Sequence, residues 1–292
     1  MASFTDLKTL ARVIYQLLRA DNDVIIGCSG MTGIGKSTLL IQLLKRYCKE
    51  AGIKWSMDYI TWSRLELMTW IDGDKKDNSP PVNDLKKGQM PRYSAILLDE
   101  LFTLFYKRLW YESNQINSIG VLNMCRDRRL LIAGNMPNFW DLDGGFLSRI
   151  RFYFYVPARG IAWIFEQENT PFSKDKWNQK LNRHIFMKNK TPFKCPNFVT
   201  EIRFDDLTPT EKTAYLNIRN TKRLTAMDDN KDQKEKYKDI KDQRDKVLRL
   251  VYKTHKDYRR INPVKVDKLT IKDLAELTGL SYEGVRIIIE GR

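Results

Sequence analysis

Gly30-Met31-Thr32-Gly33-Ile34-Gly35-Lys36-Ser37 sets a glycine, four residues, a second glycine, a lysine and a serine in a row. This is the spacing of a phosphate-binding loop. Glycines let the backbone turn several N–H groups inward around an anion, and a helix starting near Lys36 adds its positive dipole end. Lys36 is expected to reach the β- and γ-phosphates, and the Ser37 hydroxyl to ligate Mg²⁺, with Thr38 following in the helix. The flanks agree with this. Asp23-Val24-Ile25-Ile26-Gly27-Cys28 reads as a buried strand entering the loop, and residues Lys36 to Tyr47 read as the helix leaving it. The expected nucleotide contacts are Gly30, Thr32, Gly33, Ile34, Gly35, Lys36, Ser37 and Thr38.

Downstream, Tyr93-Ser94-Ala95-Ile96-Leu97-Leu98-Asp99-Glu100 is an apolar run ending in paired acids. A buried parallel strand of this kind delivers its carboxylates to the carboxyl edge of the sheet, beside the phosphate loop. Asp99 is therefore expected to hold Mg²⁺ with Ser37, and Glu100 to polarise the water that attacks the γ-phosphate. A second apolar run, Leu130 to Gly134, ends in Asn135, whose amide can hydrogen-bond the γ-phosphate or that water; Asn is also a common turn residue. Arg149, just before the β-prone run Phe152 to Pro157, is the first choice for an arginine acting in trans on a neighbour's nucleotide, with Arg126, Arg128 and Arg129 as rivals.

The formal net charge of +15 favours a polyanionic partner, nucleic acid or an anionic surface. No run approaches the length of a membrane span, and Met1 to Asp6 lacks the features of a signal peptide, so a soluble, cytoplasmic protein is expected. Cys28, Cys48, Cys125 and Cys195 are scattered and supported by only His184 and His255, which favours neither zinc nor a disulfide framework.

Helical spacing over Asp6–Leu18 predicts an N-terminal helix beside the sheet. Trp55–Ile60 reads as a strand, Gly73–Pro91 as an exposed, mobile loop, and Phe152–Pro157 with Ile161–Glu166 as a hairpin. Ser173–Lys194 is basic with interleaved aromatics, a pattern shared by nucleic-acid contacts and ordinary solvated surface. Thr208-Pro209-Thr210-Glu211 reads as a helix start. Lys231–Arg260 then reads as one or two long helices, with a break near Asp228-Asp229-Asn230. Leu269–Ile289 has the form of a helix-turn-helix, with Gly279 in the turn, Leu280 and Val285 inward, and Ser281, Tyr282, Glu283 and Arg286 exposed; a helical hairpin for protein contacts has the same signature. The expected organisation is an α/β phosphate-loop core of mainly parallel strands over residues 1–200, a helical linker over 201–262 and a small helix-turn-helix-like domain over 263–292.

The loop, the Asp99-Glu100 strand end, Asn135 and the trailing arginines resemble the additional-strand, catalytic-glutamate class of P-loop ATPases. Phe105-Tyr106, Arg108, Arg126, Pro137, Phe139 and Leu142-Asp143 look further like the zonula occludens toxin-like and FtsK/HerA-like ATPases of phages, archaeal viruses and plasmids. That resemblance implies an ATP- and Mg²⁺-dependent motor acting on DNA as a homo-oligomeric ring, with hydrolysis between subunits and a role in genome packaging or translocation. It leaves room for a virion, replication or transposition protein as partner. The same residues fit an AAA+ reading, with Asn135 as first sensor and Arg149 as finger, which implies a helicase loader or transposition regulator. The β-prone Phe152–Phe165, standing where AAA+ proteins carry a helical lid, departs from that pattern. A nucleotide-switched DNA-binding regulator is the rival from another class, and a small-molecule kinase is a weaker third.

Overall fold

The computed structural model describes residues 6–20, 22, 24–74, 81–82, 85–101, 105, 128–168, 175–261 and 269–290, with backbone alone for 224–240 and 258–259. The chain divides into two compact units, Met1–Ala226 and Met227–Arg292.

In the first unit, the uninterrupted apolar runs become the sheet's centre. Strands β1 (Val24–Gly30), β3 (Ala95–Leu98) and β4 (Leu131–Met136) are buried along their whole length, as parallel strands covered on both faces must be. With β2 (Ile60–Thr61), β5 (Ile150–Ala158), β6 (Ile161–Glu166) and β7 (Phe198–Arg203) they form a seven-stranded sheet ordered β2-β3-β4-β1-β5-β6-β7. Every pairing from β2 to β5 is parallel; β5-β6 and β6-β7 are antiparallel.

Alternate residues of the strands enter two apolar layers. Val24, Ile26, Cys28 and Leu97 pack with helices α1 (Leu7–Arg19) and α2 (Lys36–Ala51), whereas Ile25, Ile96 and Leu98 pack with α3 (Arg64–Asp72) and the short α4 (Gly144–Leu147). The expected N-terminal helix and the β5-β6 hairpin are both present, the latter turning at Gly160 with φ +82°.

Several elements differ from the sequence reading. Trp55–Ile60 is not a strand: the Ser56 side chain accepts from Asp58 N at 3.2 Å and winds Met57–Tyr59 into a 3₁₀ turn, leaving only Ile60 and Thr61 paired. Helix α3 was not anticipated, although Ser63 caps it by accepting from Glu66 N at 3.3 Å. The described part of Gly73–Pro91 is anchored at its end by Met90, which is buried and donates its N–H to Trp70 O at 2.8 Å. Strand β7 was also unanticipated, and it carries the core's sheet past residue 200 to Arg203. The basic Ser173–Lys194 segment contains helix α5 (Gln179–Asn189).

Helix α6 (Pro209–Ile261) is continuous through Asp228-Asp229-Asn230, where a break was expected. Its start is fixed by Thr208 and Glu211, which exchange side-chain to backbone bonds at 3.1 and 3.3 Å. Glu211 also meets Lys45 of α2 at 2.5 Å, and Lys222 reaches Asp58 O, Ile60 O and Glu66 at 2.6–3.1 Å. With Tyr215 and Ile218 packed on the core, these contacts hold the first part of α6 to the first unit.

In the second unit, α7 (Ile271–Thr278) opens on a capping box between Thr270 and Asp273 and ends at Gly279, φ +67°. Helix α8 (Tyr282–Glu290) follows. Leu248, Leu274, Val285 and Ile288 form a small core of their own. Ser281, Tyr282, Glu283 and Arg286 are exposed, but Arg286 already pairs with Glu283 and Glu290, each at 3.3 Å.

Candidate nucleotide-binding site

Strand β1 delivers the chain to the glycine loop, and the loop backbone explains its composition. Gly30 has φ +146°, and a Cβ there would sit 2.7 Å from Val156 O on the neighbouring strand, so no larger residue fits. Gly35, φ +105°, is the N-cap of α2 and provides no side-chain acceptor, which leaves the first-turn N–H groups of that helix for an anion.

A cavity of about 510 Å³ opens over this loop, lined there by Thr32, Gly33, Gly35, Lys36, Ser37 and Thr38. Gly30 and Ile34 do not line it; Ile34 packs on the core, and Gly30 holds the loop through its carbonyl. Lys36 Nζ donates to Gly30 O at 2.8 Å and Met31 O at 2.9 Å. Burial holds its ammonium below the usual lysine range, with the charge of Asp99 among the opposing effects.

Because β4 lies between β3 and β1, the carboxyl ends of all three strands meet at one point. Asp99 directly follows β3 and is only 4% exposed. Its Oδ1 accepts from Ser37 Oγ at 2.8 Å and from Asn135 Nδ2. Asn135 stands inside β4, not after it, beside Cys28 of β1. Its amide donates to Ser37 Oγ at 2.7 Å, and its Oδ1 accepts from Glu100 N at 2.8 Å. One side chain thus ties the loop serine, the strand-end aspartate and the backbone of the glutamate together. Glu100 adopts φ +82°, the left-handed turn that swings it out of the strand direction and into the cavity wall.

The donor set of one hydroxyl and one carboxylate suits a hard cation completed by phosphate oxygens and water. Among the described residues no cluster of three or more His, Cys, Asp or Glu side chains could hold a metal unaided.

The rest of the wall comes from residues the sequence reading did not select. Arg159 follows β5, and Lys212, Tyr215 and Arg219 come from α6. Tyr215 Oη donates to Asp99 Oδ2 at 2.5 Å, and burial, reinforced by the Asp99 charge, raises its pKa so that it remains a donor. Two helical turns on, Arg223 Nη2 lies 3.2 Å from Glu100 Oε1. The signal was legible in principle: Lys212, Tyr215, Arg219 and Arg223 recur at three- and four-residue intervals and so share one helix face.

The proposed trans arginines fall elsewhere. Arg149 immediately precedes β5, whose first residue pairs with Ile25, so it sits at the sheet edge where β1 begins, opposite the phosphate loop. Arg128 is buried and donates to Met90 O, and Arg129 donates to Tyr93 Oη at 2.6 Å, so both are engaged in the fold. Arg126, with Tyr106 and Arg108, lies outside the described residues.

The parallel strand order β5-β1-β4-β3-β2, with the glycine loop after β1 and the acidic pair after β3, is a P-loop NTPase fold. No protein-family profile matches the chain, and no curated protein does. Solved structures similar to it include the N-terminal domain of zonular occludens toxin from Neisseria meningitidis (15% identity, 55% of this chain and 91% of that one, TM-score 0.34). A second is the genome packaging NTPase of Sulfolobus turreted icosahedral virus 2 in complex with ATP-gammaS (11%, 50% and 93%, 0.33), and a third is the FIGL-1 AAA domain (14%, 52% and 51%, 0.33). Strand order and loop geometry, not these partial overlaps, carry the fold. No described helix is long and apolar enough to cross a membrane.

Proposed function

We propose that the protein is an ATP-hydrolysing motor of a virus or mobile element that acts on DNA as a homo-oligomeric ring in the cytoplasm. The observation that carries the hydrolytic part of this reading is the Asn135 bridge, which joins Ser37, Asp99 and the Glu100 backbone beside the glycine loop. In this reading Ser37 and Asp99 would hold Mg²⁺, which when bound neutralises phosphate charge. Lys36 draws the β- and γ-phosphates onto the loop, and Glu100 orients the attacking water. Asn135 keeps the Asp99 carboxylate and the Glu100 backbone in register, and Arg149 of a neighbouring subunit completes the transition-state charge. The net charge of +15 supports a nucleic-acid partner. The test is the rate of phosphate release with and without single- and double-stranded DNA, alongside the mass of the assembly in ATP; an unstimulated monomer sinks the motor.

Two observations favour a nucleotide-switched DNA-binding regulator as a second reading. Glu100 is paired with Arg223, and α7, opened by the Thr270–Asp273 capping box and ended by left-handed Gly279 before α8, is compatible with a helix-turn-helix. Sequence-specific duplex binding with negligible turnover would select it.

A further inference from the structure

A second cavity, of about 400 Å³, lies in the first unit on the sheet face that carries Tyr155 of β5 and Trp163 of β6. Their rings are 5.7 Å apart and tilted by 33°; Phe186 of α5 meets Trp163 edge-on at 5.9 Å, and Trp140 closes another side. Such walls present flat π faces to an occupant.

The polar groups on this wall are specific. Asn182 donates to Trp177 O at 2.7 Å and to Asn197 Oδ1 at 2.9 Å, but its own Oδ1 is buried with no hydrogen-bond partner among the described residues. A buried acceptor without a donor is costly, and a ligand N–H would relieve it. At the mouth stands exposed Arg183, on a helix that carries Lys180 and Lys188 and no acidic residue. Of the acids of these elements, Glu166 is paired with Arg151 at 3.2 Å, whereas Glu201 accepts from Trp163 Nε1 at 2.9 Å and Glu168 from Asn178 at 2.5 Å, both neutral donors that leave the carboxylate charge in place.

We infer that this cavity receives an unpaired base of single-stranded DNA, stacked among Tyr155, Trp163 and Phe186, with a base N–H given to Asn182 Oδ1 and the adjoining phosphate at Arg183. Aromatic walls suit any base, every base has an N–H edge donor, and the surrounding cations suit the strand's backbone. The inference rests on the DNA-motor reading and names the form of DNA it would grip. It also supplies a physical link to the nucleotide. Pro137 lines the nucleotide cavity and Trp140, on the same segment after Asn135, lines this one; Tyr153, in its wall, hydrogen-bonds Ser29 at the end of β1 at 2.7 Å.

The test uses the full-length protein and an oligo(dT) strand bearing 5-iodo-2′-deoxyuridine, photocrosslinked and mapped by peptide mass, with binding followed by fluorescence anisotropy. Crosslinks are expected in Ile161–Glu166 or Gln179–Asn189. Phe186→Ala should lower single-strand affinity about 10-fold and Arg183→Ala about 3-fold, with duplex affinity and melting temperature little changed. Both positions lie at the surface or half-buried, so the variants should fold. Undiminished single-strand affinity in both variants, with crosslinks elsewhere, overturns the assignment while leaving the motor reading intact, and gives the cavity to an aromatic side chain of a protein partner. If neither single-stranded nor duplex DNA binds at any salt concentration, the motor reading fails and the inference with it.

Discussion

Arg223 Nη2 and Glu100 Oε1 lie 3.2 Å apart, so the carboxylate assigned to activating water is held by a cation from the helix that follows the sheet. Both side chains remain more than a third exposed, at 39% and 36%. A pair of that exposure contributes about 1 kcal/mol or less, which is weak enough to be broken and remade during a catalytic cycle.

If this pair restrains Glu100, Arg223→Ala should raise basal ATP turnover, by up to about 5-fold, the factor equivalent to 1 kcal/mol. Steady-state phosphate release without DNA measures it. A fall in rate would instead mean that Arg223 contacts the transferring phosphate.

Alkali should destabilise the first unit from about pH 9 upward. Burial pushes Cys28 and Cys48 up to about 12 from an ordinary 9.0, and raises Tyr47, Tyr153 and Tyr215 above their ordinary 10.0. A group whose folded pKa is raised contributes fully below its unfolded value, and that contribution is lost as pH climbs toward the folded one. Cys195 is also raised by burial, and Lys36, lowered by burial, acts in the opposite sense below 10.5, one group against six. Urea midpoints at pH 8, 9.5 and 10.5 should therefore fall in order; a flat or rising series would contradict the burial of these side chains.

Arg149 sits at the edge opposite the phosphate loop of its own chain, so in the proposed role it would act on a neighbour. Mixing Arg149→Ala with Glu100→Gln protein should then restore part of the activity that each lacks, because some interfaces combine an intact glutamate with an intact arginine. Absence of rescue in verified mixed assemblies would remove Arg149 from the mechanism.

The nucleotide-binding half of the site was readable because its residues are local in sequence or end apolar strands. The loop needs glycine at Gly30 and Gly35 for backbone reasons, and Asp99 follows a run that only a buried strand accommodates. Asn135 was recognisable as a strand-end amide, but whether it reached Ser37 depended on β4 inserting between β3 and β1, which periodicity does not encode. Tyr215, Arg219 and Arg223 were missed because they sit more than a hundred residues after Asp99, on a charged helix whose surface pattern looks solvated. Strand β7 was missed for a related reason. As the sheet's edge, Phe198–Arg203 is only partly buried and carries Thr200, Glu201 and Arg203 among its apolar residues, so it lacks the continuous run that betrayed β1 and β3.

The central claim is a nucleotide site in which binding and hydrolysis are performed by different residues. The most direct measurement is phosphate release and equilibrium binding of a fluorescent ATP analogue, made side by side on the parent protein, Lys36→Ala and Glu100→Gln. Glu100→Gln should bind within a few-fold of the parent and turn over about 100-fold or more slowly, whereas Lys36→Ala should lose binding itself. Equal hydrolysis near the parent rate in all three proteins would contradict the site.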